Sequence, residues 1–316
     1  RETVGERSVL GRYRRRTAEV DGAVAEAYVR GVSTRKMAAV TEALMGESVS
    51  RSTVSRVTRS LSEQVEALRK SRIDEPMVYV FLDATFIDVR WARAVQNVSA
   101  LVAYGVGRDG KRHLLGVTLG TEESEDSWSE LLAQLVERGL HGVRLVASDD
   151  HKGLDRAVRK HLPQADRQRC IVHFERNILT KVPHRLRRSV ARDVKVIFDA
   201  TSVEQAKRRV ARVRERWHKH VPEAVETLEA GLDRGLTFLR YPEAHRKRIR
   251  STNGLERLHG ELKRRTRAVG SFPDRASALR LLVAVAIRAT DIWSDRQYLD
   301  MSLLDSSTDE KKEIAA

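Results

Sequence analysis

The chain is nearly free of cysteine and has no long apolar run. Cys170 is the one cysteine in 316 residues, which excludes an internal disulfide and a cysteine-rich zinc ribbon and suits a reducing cytoplasm. No apolar stretch approaches the roughly 20 residues that cross a bilayer, so no membrane partner is expected. Internal repeats and low-complexity tracts are missing too. Negative charge is scarce: 44 Asp and Glu face 59 Lys and Arg, a formal net charge of +15 at pH 7. That excess calls for a polyanion, with nucleic acid ahead of a lipid surface. The first residue is Arg1 and the opening residues are charged, so we expect a piece of a longer protein with no secretory signal.

What is present falls into segments. Residues 1–72 read as a helical DNA-binding domain. Asp21 can cap a helix with Val24, Ala27 and Tyr28 on one face, ending at Gly31. Ser33 can cap a second with Met37, Val40 and Leu44, ending near Gly46, and Ser50 or Ser52 a third with Val54, Val57, Leu61, Val65 and Leu68. Helix, glycine turn and polar-fronted helix make a helix-turn-helix pattern. Arg51, Ser52, Thr53, Ser55 and Arg56 are placed to touch phosphates and base edges. A plain three-helix bundle is the alternative.

Residues 73–173 change composition. Met77–Val89, Val98–Gly105 and His113–Leu119 read as strands, with a turn at Asp109-Gly110. A helix over Ser127–Gly139, a buried strand over Gly142–Ala147, a helix over Leu154–His161 and a strand over Arg167–Val172 complete an α/β order that matches a ribonuclease-H-like core. Residues 174–250 read as an all-α, basic insertion anchored by Val190, Val194, Ile197, Phe198, Trp217 and Leu228. The core resumes over 251–304, and 305–316 is a polar tail expected to fray.

Three acids stand out. Asp83 interrupts an apolar strand, on the face of Tyr79 and Phe81 and opposite Asp88. Asp149 and Asp150 compete for a second position, and either could cap the following helix; the place directly after the strand favours Asp149. Glu256 shares a helix face with Asn253 and Lys263, and alone it would read as a surface ion pair with Arg257 or Arg264. Three carboxylates in a basic protein suit Mg²⁺ acting on phosphates, with two ions and with Mn²⁺ able to substitute. Arg90, Lys152, Arg257 and Lys263 are candidates to brace those phosphates. Cys170-Ile171-Val172-His173 supplies two of the four ligands that a structural zinc needs, so Cys170 and His173 are expected to serve structure and to hold no zinc.

Taken in order, several stretches resemble the bacterial Mutator-type insertion-sequence transposases, a family of the DDE superfamily. They are Arg30-Gly31-Val32-Ser33-Thr34-Arg35, Leu82-Asp83-Ala84-Thr85-Phe86 with Val89-Arg90, and Ser148-Asp149 followed by His151-Lys152-Gly153-Leu154. Gln168-Arg169-Cys170-Ile171-Val172-His173-Phe174, Thr252-Asn253-Gly254-Leu255-Glu256-Arg257 and Gly270-Ser271-Phe272-Pro273 follow. The resemblance implies Asp83, Asp149 and Glu256 as catalytic metal ligands, and a ribonuclease-H-like core with a helical insertion. It also implies Mg²⁺-dependent cutting and joining of double-stranded DNA at inverted-repeat ends, with a multimer, most simply a homodimer, holding both ends in a nucleoid-associated enzyme. Arg35 joins the DNA-binding set through the first motif. A ribonuclease-H-like nuclease that cuts without joining, and a catalytically silent repressor, remain open; glycoside hydrolysis gives no reason for the charge.

Replacing Arg51 and Arg56 by Ala is expected to weaken binding to a cognate end more than to random DNA, by about 1–3 kcal/mol for each base-edge hydrogen-bonded pair removed. Competition titration on the two DNAs checks this, and equal weakening would restrict these residues to phosphates.

Overall fold

A computed structural model describes residues 18–46, 48–91 and 94–304; the polar tail over 305–316 and residues 1–17 lie outside them. Four helices come first: α1 (Ala18–Val29), α2 (Thr34–Met45), α3 (Arg51–Val57) and α4 (Leu61–Lys70). Asp21 sits in the first turn of α1 and not at its cap. Ser33 caps α2, accepting from the Lys36 amide, and Gly46 ends it at φ 71°, a left-handed position that glycine takes without strain. Ser50 caps α3 by accepting from the Thr53 amide. The expected third helix is broken over Thr58–Ser60, which form a 3₁₀ turn. Thr58 and Ser60 donate their hydroxyls to the Ser55 and Val57 carbonyls, and such back-bonding bends a helix. Leu44, expected on the apolar face of α2, is 78% exposed, because that helix is anchored through Thr41 and Met37, one and two turns earlier.

The rest is a mixed α/β body. β1 (Met77–Trp91), β2 (Ala94–Gly107) and β3 (Arg112–Gly120) run antiparallel. Next come α5 (Glu125–Glu137), β4 (Leu145–Ser148), α6 (Lys152–His161) and β5 (Asp166–Arg169). β4 pairs parallel to β1 and β5 parallel to β4, so the five strands lie in the order β3-β2-β1-β4-β5. The expected strand over Arg167–Val172 stops at Arg169. Ile171, Phe174 and Ile178 are buried at helical spacing and belong to α7 (Ile171–Thr180), whose cap is Cys170.

Helices α8 (His184–Phe198), α9 (Val203–Trp217), α10 (Pro222–Gly235) and α11 (Glu243–Ile249) then intervene before α12 (Asn253–Val269) and α13 (Arg275–Thr290). Val190, Val194, Ile197, Phe198, Trp217 and Leu228 are all buried among them. Alternation along β1 sorts its side chains. Val80 and Leu82 face a core with Trp128, Leu132 and Leu154 of α5 and α6, while Tyr79, Phe81, Ile87 and Val89 face the core shared with α12, α13 and the N-terminal helices. Among the described residues no helix is long and apolar enough to cross a membrane.

One contact fixes how closely α12 approaches the sheet. A Cβ at Gly254 would overlap the hydroxyl of Tyr104, and that ring is stacked on Phe81 with centroids 4.4 Å apart. Gly254→Ala is therefore expected to destabilise the fold by about 1–3 kcal/mol through overpacking, and adding Tyr104→Phe should recover part of the loss. Denaturant unfolding of the single and double variants measures both effects.

Candidate active site

The site is built on strand register. Phe81 of β1 is paired with Ala147 of β4 in a parallel ladder. Asp83 lies two residues beyond that pair in the middle of β1, and Asp149 two residues beyond it, just past the end of β4; the two are close enough that Asp149 helps to raise the pKa of Asp83. The crevice beyond the carboxyl end of a strand such as β4 is where open α/β sheets place ligands.

Helix α12 closes the third side. The Thr252 hydroxyl approaches Asp83 Oδ2 at 3.4 Å, and His259 Nδ1 stands 3.5 Å from the same oxygen. At about 100° per residue, Thr252, Glu256 and His259 fall within about 60° of one another. Glu256 therefore lies toward the helix side that meets Asp83, about 40° from Thr252 and about 60° from His259, and its side chain is exposed. Arg264, a possible ion-pair partner of Glu256 on sequence grounds, pairs with Glu261 at 2.7 Å instead. Among the described residues no group of three His, Cys, Asp or Glu side chains already stands at metal-holding distances; the structure brings Asp83 and Asp149 together and leaves Glu256 open to the crevice.

Electrostatics mark Asp83 as under-compensated. Burial pushes its carboxyl up to about 7; His173 pulls it down, and Asp149 and Glu123 add to the rise. His259 is held down to about 4 by its own burial and by Lys263, so it is neutral near pH 7 and its contact with Asp83 is no ion pair. The positive charge comes from His173, raised to about 9 by its hydrogen bond to Cys170, with Asp83 and Asp149 adding to the effect.

Cys170 ties the parts together. Its amide donates to the Ser148 carbonyl at 2.6 Å, and its sulfur accepts from the Thr252 amide and hydroxyl at 3.3 and 3.4 Å. Burial pushes the thiol up, but hydrogen bonds from His173 and Thr252 outweigh it and leave the pKa lowered. Gln168, just upstream and buried, donates to the Gly235 carbonyl and accepts from the Phe238 amide, docking the inserted helices.

The neighbouring aspartates separate. Asp150 is held by Arg169 and by Arg234 of α10, both at 3.0 Å, and Arg234 also pairs with Asp155 at 2.9 Å. Asp149 instead accepts from the His151 amide at 3.4 Å and faces Asp83. Two residues were missed in the sequence. Glu123, in the turn after β3, has its carboxyl raised by burial and by Asp149 while accepting from Trp128 Nε1. His259 follows Glu256 by three residues, a spacing that could have found it.

The phosphate-bracing candidates scatter. Lys152 is exposed in the first turn of α6, and Lys263 lies close enough to His259 to lower its pKa. Arg257 lines a different cavity on another side of α12. Arg90 is corrected: its number parity puts it on the opposite face of β1 from Asp83, about 23 Å along the strand. In the N-terminal helices, Arg35, Arg51, Ser52, Ser55 and Arg56 are exposed and Thr53 is half-buried, its hydroxyl accepting from Ser50. Arg35 and Ser55 line a cavity of about 970 Å³ between those helices and the start of α13, away from the acids.

The profile of the family described as "Transposase, Mutator family" matches residues 3–296. The chain belongs to the Mutator family of transposases. Its relatives include the transposase for insertion sequence element ISRM5 of Rhizobium meliloti, 38% identical over 92% of this chain and 73% of that protein. The transposase for IS406 of Burkholderia multivorans is also 38% identical, over 93% and 77%. The transposase for IS256 in transposon Tn4001 of Staphylococcus aureus is 36% identical over 93% and 76%.

Asp83 gives a pH signature in metal-free protein. Its carboxyl ionises near 3.8 ordinarily and near 7 in the fold, so the unfolded chain releases the proton first and stability is lost as pH rises through that window. Asp83→Asn is expected to gain thermal stability over the wild type between pH 4 and 7, with a constant gap above. Melting curves in chelator across that range check it; a gap independent of pH would contradict it.

Proposed function

We propose that this chain binds the inverted-repeat ends of its element and cuts and joins DNA strands by Mg²⁺-dependent phosphoryl transfer at Asp83, Asp149 and Glu256. The observation that carries the reading is the pair of carboxylates in the middle of β1 and just past the end of β4, with α12 against the first of them. The order of antiparallel and parallel strands supports a ribonuclease-H-like core interrupted by the inserted helices, and the caps at Ser33 and Ser50 support a helix-turn-helix in α2 and α3.

The donor set fits a hard divalent cation. Asp83 is desolvated and lies beside a second carboxylate; one oxygen accepts from the Ala84 amide at 3.0 Å, while the other meets only long contacts from Thr252 and a neutral His259, and such a site gains from a cation. Asp83, Asp149 and Glu256 would hold Mg²⁺, or Mn²⁺ in its place, which when bound supplies phosphoryl polarisation and a more acidic water. The chain's own residues position the DNA. Lys152 and Lys263 offset charge on the non-bridging oxygens, and the buried floor under Asp83 excludes bulk water. In the first displacement a water oxygen bonds to phosphorus, the bond to the 3′ oxygen breaks, and a 3′-hydroxyl leaves with a proton. In the second that 3′-hydroxyl gives up its proton as its oxygen bonds to a target phosphorus, the bond to the target 3′ oxygen breaks, and that oxygen departs with a proton. The exposed front of α3 would read the element end, the basic inserted helices would grip flanking DNA, and a homodimer in the bacterial cytoplasm would hold both ends.

Asp83→Asn, Asp149→Asn and Glu256→Gln are each expected to abolish Mg²⁺-dependent cutting and joining of an end duplex while leaving end binding intact. Asp150→Asn should keep the chemistry and lose stability, because Asp150 serves Arg169 and Arg234. Product analysis on the four variants decides: wild-type cutting by all of them removes the metal-site reading, and cutting without joining by the wild type gives a nuclease.

A further inference from the structure

Helix α12 has a second working face. Arg257 lies about 100° around the helix from Glu256, and with Arg265 it lines a cavity of about 320 Å³ closed by Arg288, Arg112, Arg296 and Trp293. Five guanidinium groups thus converge on a space with one carboxylate in its wall, Glu261. That carboxylate already serves Arg264 at 2.7 Å and Arg265 at 3.7 Å, and Arg288 pairs with Glu26. Among the described residues Arg112, Arg257 and Arg296 have no carboxylate partner.

Arg112 is the fixed member. Its guanidinium carbon stands 4.3 Å over the Trp293 ring and 4.7 Å over Tyr298, while its Nε is buried without a hydrogen-bond partner. A half-buried cation with an unpartnered buried nitrogen and no counter-charge is costly. Burial lowers the pKa of Arg112, and Arg248 and Arg296 lower it further. Arg265 is lowered by burial and by Arg264, with Arg288 and Arg30 adding to the repulsion. A multivalent oxyanion seated here would relieve that repulsion and give planar, forked donors the geometry they match best.

We propose that this arginine-lined cavity is a phosphate pocket that holds the backbone of a DNA segment other than the one at Asp83. The body of α12, about 10 Å across with side chains, separates the two places, so one straight duplex does not fill both. An enzyme that joins strands has to hold two DNAs, and the pocket gives the second a seat on the reverse of the helix that carries Glu256. The inference rests on the DNA-joining reading only for the identity of the anion.

The test is made in chelator, without chemistry. Binding of a random-sequence duplex is measured as a function of salt for the wild type, for the exposed triple variant Arg257→Gln, Arg288→Gln, Arg296→Gln, and for a control of equal charge change, Lys70→Gln, Arg72→Gln, Lys160→Gln. Each phosphate no longer neutralised lowers the log–log salt slope by about 0.9, so the cavity variant, three arginines fewer, is expected to drop by up to about 2.7 in slope and the control by almost none. Equal slopes in both variants overturn the pocket. A second arm adds inorganic phosphate and follows the melting temperature. Stabilisation of the wild type alone, with an unchanged DNA slope, gives the pocket to a free phosphate and overturns the DNA assignment. Wild type that binds no DNA overturns the DNA-joining reading itself.

Discussion

Parallel pairing of β1 with β4 is the constraint on which the rest depends. Because Phe81 faces Ala147 where the ladder ends, the chain leaves β4 beside the middle of β1 and brings Asp149 near Asp83. A slip of one residue would turn one carboxylate into the opposite core. The register is enforced from both sides. Val80, Leu82 and Val146 are buried against α5 and α6, while Tyr79, Phe81, Leu145 and Ala147 are buried against the other layer. The two acids are therefore held by apolar packing that neither of them contributes to, which is how a fold keeps like charges close.

A second layer of contacts brings the distant parts of the chain to that pair. Cys170 joins the end of β5 to the start of α12 through Thr252, and the Ile171 amide donates to the Arg250 carbonyl beside it. Arg234 reaches from α10 to Asp150 and Asp155, and Arg167 of β5 donates to Ser148. The inserted helices are thus anchored on the loop that carries Asp149, by ion pairs whose charges are partly shielded from water and so less screened than surface pairs. The same arrangement explains why one cysteine suffices: its sulfur is an acceptor for an otherwise orphaned amide at a helix start.

Much of this was legible in the residues. The strands showed as β-branched runs, and Ser33, Ser50 and Gly46 marked helix ends by their capping chemistry. Asp83 showed because an acid in mid-strand needs a reason, and Asp149 because it directly follows a strand. What stayed hidden depended on partners far away in sequence or on local hydroxyls. The bond of Arg234 to Asp150 has no local signal. Glu123 stands just before the Ser124 cap of α5 and reads as an ordinary helix-start acid. The break after α3 comes from Thr58 and Ser60 back-bonding, which apolar spacing does not register. Arg90 shows the reverse: strand alternation alone would have placed it away from Asp83.

Charge balance connects these parts. A chain with net charge +15 gathers Asp83, Asp149 and Glu123 near one another, with His173 as the cation that acts on them, an arrangement that leaves negative charge for a metal to offset. The most direct measurement is the anomalous signal of Mn²⁺ in crystals of the protein bound to an end duplex. Manganese is expected between Asp83 and Asp149, with Glu256 turned toward it. Manganese at Cys170 and His173, or none near Asp83, would contradict the metal-site reading.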